Sequence, residues 1–313
     1  MKDKILEYNR QPQLSQWFNS QLDKFMASGI YHDNLDLLEN KLVSDLENYK
    51  NKYQIENVVL GVSGGIDSAV SAALFKNAGW NVTGVLLPIL QNPEETDRGQ
   101  EVCDKLEIEC VKVDLTSVYE KFISEMRDAD FLLFEGLDNS KEVRVRRGNI
   151  RARLRMNTLY NMAVSKKGLV ASTDNFSELA AGFWTLHGDV GDIAPIQSLT
   201  KSWEVPALAE RLGVPQSVID AVPTDGLGVA NGDEDQFGFS YLEFDIALFS
   251  LFESKYIKQQ LEDDNDANII NEVEKRIRST IYKRFNPLNL QHPYYTERYS
   301  QLEELDNHLD KGD

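Results

Sequence analysis

The chain reads as an α/β protein, a parallel sheet flanked by helices, with helical extensions at its N- and C-termini. Two observations predict this. Short continuous apolar runs such as Val58-Val59-Leu60-Gly61-Val62 have the composition of strands buried on both faces. These runs alternate with helical segments at the spacing of βαβ units. Composition agrees: 42% of the 313 residues are hydrophobic and 27% charged, the range of a globular domain with a substantial core.

Residues 1–50 read as two polar helical stretches. In the second, Leu35, Leu38, Leu42 and Leu46 recur at spacings of three and four, one apolar helix face. Leu14–Met26 is the weaker of the two. This extension is expected to serve packing or dimerisation without chemistry. The main domain, residues 51–290, opens with the strand ending at Val62, a loop, and a helix over Ser68–Asn77. A second strand over Asn81–Pro88, a helix over Glu95–Leu106 and a third strand over Cys110–Leu115 follow. Residues 127–148, with Arg144, Arg146 and Arg147, read as a charged loop. Asn149–Lys166 reads as a helix stopped by Gly168, and Leu169–Ser172 as a fourth strand. Helices are expected at Ser177–Trp184, Val205–Leu212, Leu242–Lys258 and Ile269–Tyr282. Residues 223–238 read as a Gly/Asp-rich loop and residues 291–313 as an acidic tail. No internal repeat or long linker interrupts the chain.

Charge and cysteine usage narrow the function. The 51 acidic residues outnumber the 33 Lys and Arg, a net charge of −18, which argues against a body that tracks a phosphate backbone. Cys103 and Cys110 cannot make a CxxC redox site or a Cys-rich zinc site, and four scattered histidines suggest no metal cluster. No apolar run approaches the length needed to span a bilayer, and no signal-peptide core follows Met1. The expectation is a cytoplasmic protein that binds neither nucleic acid nor membrane.

The loop Ser63-Gly64-Gly65-Ile66-Asp67-Ser68 carries the chemistry. Its glycines permit positive φ and close approach of backbone to ligand. Its N–H groups converge at the positive end of the following helix, an anion site suited to phosphate. Asp67 would repel phosphates unless it holds Mg²⁺ that bridges to them. The loop is neither GxxxxGK[ST] nor GxGxxG.

SGGxDS after a buried strand resembles the pyrophosphate loop of the ATP pyrophosphatases, whose fold is Rossmann-like (adenine nucleotide alpha hydrolase-like). Three further segments resemble NAD synthetases within that superfamily. They are Asn149-Ile150-Arg151-Ala152-Arg153-Leu154-Arg155-Met156, Ser172–Glu178, and Gly182–Asp189 continued by Asp192-Ile193-Ala194-Pro195-Ile196. Lys201 and Pro223-Thr224 follow in the expected order, so the resemblance spans roughly residues 55–285.

The resemblance implies that a deamido-NAD carboxylate attacks the α-phosphorus of ATP, releasing pyrophosphate. Ammonia then converts the acyl-adenylate to NAD and AMP. It places ATP on Gly61, Val62, Ser63, Gly64, Gly65, Ile66, Asp67, Ser68, Thr173, Lys201 and Thr224. It places Mg²⁺ on Asp67 and Glu178, and deamido-NAD on Arg153, Asp192 and Lys283. Asp67 and Lys201 would act on the phosphates, and Asp189 is the candidate that binds ammonium and takes its proton. Many members have Lys where Leu186 stands. Only about 60 residues precede the loop, so ammonia is the expected donor, with a separate glutaminase left open. A homodimer is expected, as are loops 127–148 and 225–238 closing over the substrates. The competing readings are another adenylating enzyme of the superfamily, acting in tRNA modification or sulfur transfer, and a non-catalytic ATP-sensing module.

Overall fold

The computed structural model describes residues 2–28, 34–130, 140–222, 238–254, 257, 261 and 263–284. Its centre is a four-stranded parallel sheet of β1 (Asn57–Gly61), β2 (Asn81–Leu86), β3 (Glu109–Lys112) and β4 (Gly168–Val170), in the order β3-β2-β1-β4. Val59 of β1 pairs with Thr83 of β2 on one side and Val170 of β4 on the other. The chain thus builds outward from β1 to β3, then returns to β1's other flank. That reversal opens a crevice beyond the carboxyl ends of β1 and β4, the usual ligand position in open α/β sheets.

Successive residues of β1 face opposite sides of the sheet. Val58 and Leu60 pack into a core with helix α4 (Ile66–Asn77) and helix α3 (Leu35–Tyr53). Val59 packs on the other face with Met156 and Leu159 of the long helix between β3 and β4. Helix α5 (Pro93–Leu106) connects β2 to β3, and α6 (Thr116–Glu125) follows β3. The long helix, α7, runs over Lys141–Lys166.

Residues 141–148 are therefore helical, which corrects the reading of 127–148 as a loop. Ser140 caps α7 by accepting the Val143 N–H at 3.4 Å, and Val143 and Gly148 are buried, so packing overrides the run of arginines. Residues 131–139 lie outside the described residues, as do 223–237, which take in all but the last residue of the 225–238 loop expected to close.

After β4 come α8 (Phe176–Ala181), α9 (Glu204–Arg211) and α10 (Gln216–Ile219), then α11 (Tyr241–Glu253), α12 (Asp264–Ser279) and α13 (Ile281–Arg284). Helix α8 ends earlier than Trp184 because Gly182 adopts φ +64°. Among the described residues the N-terminal extension holds three helices rather than two: α1 (Lys2–Tyr8), α2 (Gln16–Ser28) and α3. Leu46 of α3 is buried in the sheet core, whereas Ile5, Phe18, Leu22 and Phe25 join a separate helical core with α11 and α12. No helix among the described residues is long and apolar enough to cross a membrane.

Candidate active site

The loop after β1 is fixed by its own backbone demands. Gly64 sits at φ +83°, and a Cβ there would lie 2.1 Å from the Glu95 carbonyl oxygen on α5. Only glycine fits that approach. Gly65 is the N-cap of α4 and brings no side-chain cap of its own. Ser63 supplies hydroxyl geometry instead: its Oγ accepts the Gly65 N–H at 3.2 Å and lies 3.2 Å from Ser68 Oγ. Ser68 Oγ accepts the Ser63 N–H at 3.2 Å and donates to the Gly65 carbonyl at 2.9 Å. The first-turn N–H groups of α4 are left for an anion, as at any helix start.

Asp67, in that first turn, is the hub. Its Oδ2 pairs with the Lys201 ammonium, and both side chains are largely buried. Its Oδ1 accepts the Asn175 side-chain amide at 3.0 Å. Asn175 also caps α8 in a reciprocal box: its Oδ1 accepts the Glu178 N–H at 3.0 Å, and Glu178 Oε2 accepts the Asn175 N–H at 3.2 Å. One amide therefore links Asp67 and Glu178, which are 111 positions apart in the chain, at the crevice predicted by the strand order.

The segment around Lys201 is anchored from within. Its N–H donates to Ser177 Oγ at 3.0 Å, and the next residue, Ser202, donates its hydroxyl to Asp245 Oδ2 at 2.6 Å. Asp245 is fully buried on α11, and burial pushes its carboxyl up to about 7 against the pull of Ser177 and Ser202.

A cavity of about 640 Å³ opens beside this hub, lined by Gly61, Val62, Ser63, Asp67, Ser68, Thr173 and Glu178. Arg155, Asp189 and Lys283 also line it. Asp189 is half-buried and accepts the Thr185 N–H at 2.6 Å. Enclosure raises its carboxyl above the ordinary range, while that N–H, Arg155 and Lys283 oppose the rise. Lys283 donates to the Gly182 carbonyl at 2.7 Å and lies 5.3 Å over the Trp184 ring; burial lowers its pKa. Asp174, also on the wall, is pushed up to about 6, chiefly by burial, with Gln197 pulling the other way.

The three arginines of α7 divide. Arg155 lines the cavity and donates to the Leu87 carbonyl at 3.0 Å and Gln91 Oε1 at 3.2 Å. Arg151 lies 5.0 Å from the Tyr119 ring centroid. Arg153 is exposed on the outer side, donating to the Leu186 carbonyl at 3.2 Å. Asp192 is likewise outside the cavity: its carboxylate takes the Val170 N–H and the Tyr160 hydroxyl, each at 2.9 Å. Thr224 lies outside the described residues. Asn175, Asp174 and Arg155 were not assigned roles from sequence. The Asn-x-x-Glu capping pattern gave the signal for Asn175, and Arg155's place beside Ala152 and Leu159 on the buried stripe of α7 gave it for Arg155.

A family model described as NAD synthase matches residues 38–287. The chain belongs to the NAD synthase family. The NH(3)-dependent NAD(+) synthetase of Alkaliphilus metalliredigens is 42% identical over 186 residues, 59% of this chain and 74% of the relative. That of Chlorobium phaeobacteroides strain BS1 is 30% identical over 268 residues, 84% and 92%. Among solved structures, the NMN synthetase from Francisella tularensis superposes with a TM-score of 0.68 at 29% identity, covering 82% of this chain and 98% of its own. The NH3-dependent NAD synthetase from Campylobacter jejuni, in complex with the nitrate ion, gives 0.64 at 28%, covering 82% and 99%. The parallel sheet with its flanking helices is thus the architecture of that family.

Proposed function

We propose that this chain amidates deamido-NAD with ammonia, consuming ATP and releasing AMP and pyrophosphate. The observation that carries the reading is the convergence of Lys201, Asp67, Asn175 and Glu178 on the mouth of an anion-binding loop. A carboxylate cannot expel oxide to accept nitrogen, so it must first become a mixed anhydride. The chain's task is to position reactants and neutralise charge. The Ser63–Ser68 loop holds the leaving pyrophosphate, Lys201 meets the phosphates, and Arg155 and Lys283 face the acid.

Asp67 and Glu178 fit Mg²⁺: two hard oxygen ligands beside a phosphate site, where uncompensated carboxylates would repel the substrate. Among the described residues no three acidic, His or Cys side chains gather as a metal group, which suits an ion completed by phosphate oxygens and water. When bound, the ion supplies charge neutralisation to the departing pyrophosphate.

In the second half-reaction ammonium docks at Asp189, whose raised pKa suits it to take one proton. Ammonia attacks the acyl carbon and AMP leaves. Full ammonium-dependent turnover by Asp189→Asn would defeat that assignment.

A homodimer completes the reading. Val118, Phe122, Tyr160 and Val164 are exposed apolar residues on α6 and α7, and Arg153 and Asp192 lie beside Tyr160 and Leu186 on the outside. A second copy there would bring these two residues into the dinucleotide site. A reducing cytoplasm suits the two free cysteines.

The test is NAD formation from deamido-NAD, ATP·Mg and ammonium, with Asp67→Ala as control and light scattering for the dimer. Nicotinate mononucleotide is the second acid to compare, because Leu186 stands where many members have Lys. Ammonium-dependent NAD and AMP lost in Asp67→Ala supports the reading. Turnover of the mononucleotide alone would shift it to the shorter acid.

A further inference from the structure

Residues 2–10 precede the family match and touch the site from outside. At the end of α1, Asn9 donates its amide to two carbonyls: Ile5 at 2.7 Å and Ser202 at 2.6 Å. Ser202 is the residue after Lys201. The next residue, Arg10, donates to the Ala221 carbonyl at 2.6 Å, just past α10. Tyr8 donates to Glu210 Oε2 at 2.8 Å and Lys4 to Glu210 Oε1 at 3.0 Å, so α1 is also held to α9, the helix that follows Lys201.

Two backbone facts mark this turn as specified by what it touches. Arg10 and Gln11 both adopt left-handed φ, +57° and +51°. Successive non-glycine residues there are unfavourable and persist when surrounding contacts over-determine them. Ile5, one turn before Asn9, is buried in the same core as Trp203.

The short segment Lys201-Ser202-Trp203 is thereby gripped on two sides. Ser177 and Asp245 hold its N–H and hydroxyl groups from within, and Asn9 holds its carbonyl from without. The Lys201 side chain springs from this segment to Asp67.

We propose that Asn9 is a positioning residue for Lys201, and that the N-terminal turn sets the efficiency with which the enzyme uses ATP. The inference rests on the role given to Lys201 in the proposed function.

The experiment is a double-mutant cycle in the full chain: wild type, Asn9→Ala, Lys201→Ala and the double variant, with initial rates against ATP·Mg and ammonium. Asn9→Ala removes the hydrogen bonds to the Ile5 and Ser202 carbonyls, and loss of the one to Ser202 should lower kcat/KM for ATP about 5- to 10-fold. KM for ammonium should not move. In the Lys201→Ala background the Asn9→Ala effect should vanish, because a residue acting through Lys201 has nothing left to position. Asn9→Asp, of the same shape but with a carboxylate facing both carbonyls, should lower kcat/KM for ATP at least as far as Asn9→Ala. Thermal midpoints identify folded variants, and if Asn9→Ala does not fold, Asn9→Ser keeps a donor for the Ile5 carbonyl and takes its place.

An equal Asn9 effect in both Lys201 backgrounds, or an unchanged response to ATP, overturns the proposal. Should the wild type form no NAD, the proposed function fails by itself. The same cycle read by calorimetric ATP·Mg binding then decides the inference: coupling between Asn9 and Lys201 supports it, and independence refutes it.

Discussion

Asp245 offers a prediction whose sign and size both come from its surroundings. Its carboxyl has no solvent exposure, and one oxygen takes the Ser202 hydroxyl and N–H. Burial moves it from the ordinary 3.8 to about 7 in the folded protein. The folded state therefore retains a proton that the unfolded chain gives up. This contribution is fully present below about pH 4 and is lost as pH rises through about 7. Linkage between those two values removes roughly 3 kcal/mol of stability between about pH 5 and about pH 9. Asp245→Asn keeps the shape and deletes the titration. Equilibrium urea unfolding of both proteins across that range should show the wild type losing roughly 3 kcal/mol more than the variant. Asp174, raised to about 6, adds slope to both proteins and cancels in the difference. Parallel stability profiles would refute the reasoning, because they require an Asp245 carboxyl that titrates alike in the folded and unfolded states.

Other consequences are equally open to measurement. Lys201→Ala should lower kcat/KM for ATP by roughly 100- to 1,000-fold, the size of a lost contact to developing charge, and Lys201→Arg should not restore it, which steady-state rates will show. Gly64→Ala should destabilise the protein by about 2 kcal/mol or more and abolish ATP binding, since its Cβ would strike the Glu95 carbonyl. Gly213→Ala, also at positive φ but with nothing within 4 Å, should cost only about 1 kcal/mol in the same denaturation assay. Glu178→Gln preserves a capping box and should leave the thermal midpoint nearly unchanged, while the magnesium concentration for half-maximal rate rises about 10-fold or more.

Much of this was legible in the sequence because the chemistry is concentrated in one loop. Ser63–Ser68 stood out as a Gly-Gly turn with an odd carboxylate, and the strand pattern placed it at the sheet's end. The helix over 149–166 was legible from its apolar stripe. Its first two turns were not, since the arginines mask any period and the decisive contacts, Val143 and Gly148 in the core, are tertiary. Arg155 shows a different limit. Motif matching favoured Arg153, whereas the cavity takes the arginine that shares a helix face with Ala152, Met156 and Leu159. Asn9 carried no readable signal, because its partner is a carbonyl 193 positions away.

The bridging role of Asn175 restricts what can ever stand there. Aspartate would start α8 just as well but would place a third negative charge against Asp67 and Glu178. Serine would start the helix and fall short of Asp67. Alanine would do neither. A side chain that must begin a helix and also reach across to another strand's loop has no neighbouring amino acid that meets both demands. Divergence at this position is therefore blocked one substitution at a time, and a working replacement would have to arrive together with a change at Asp67.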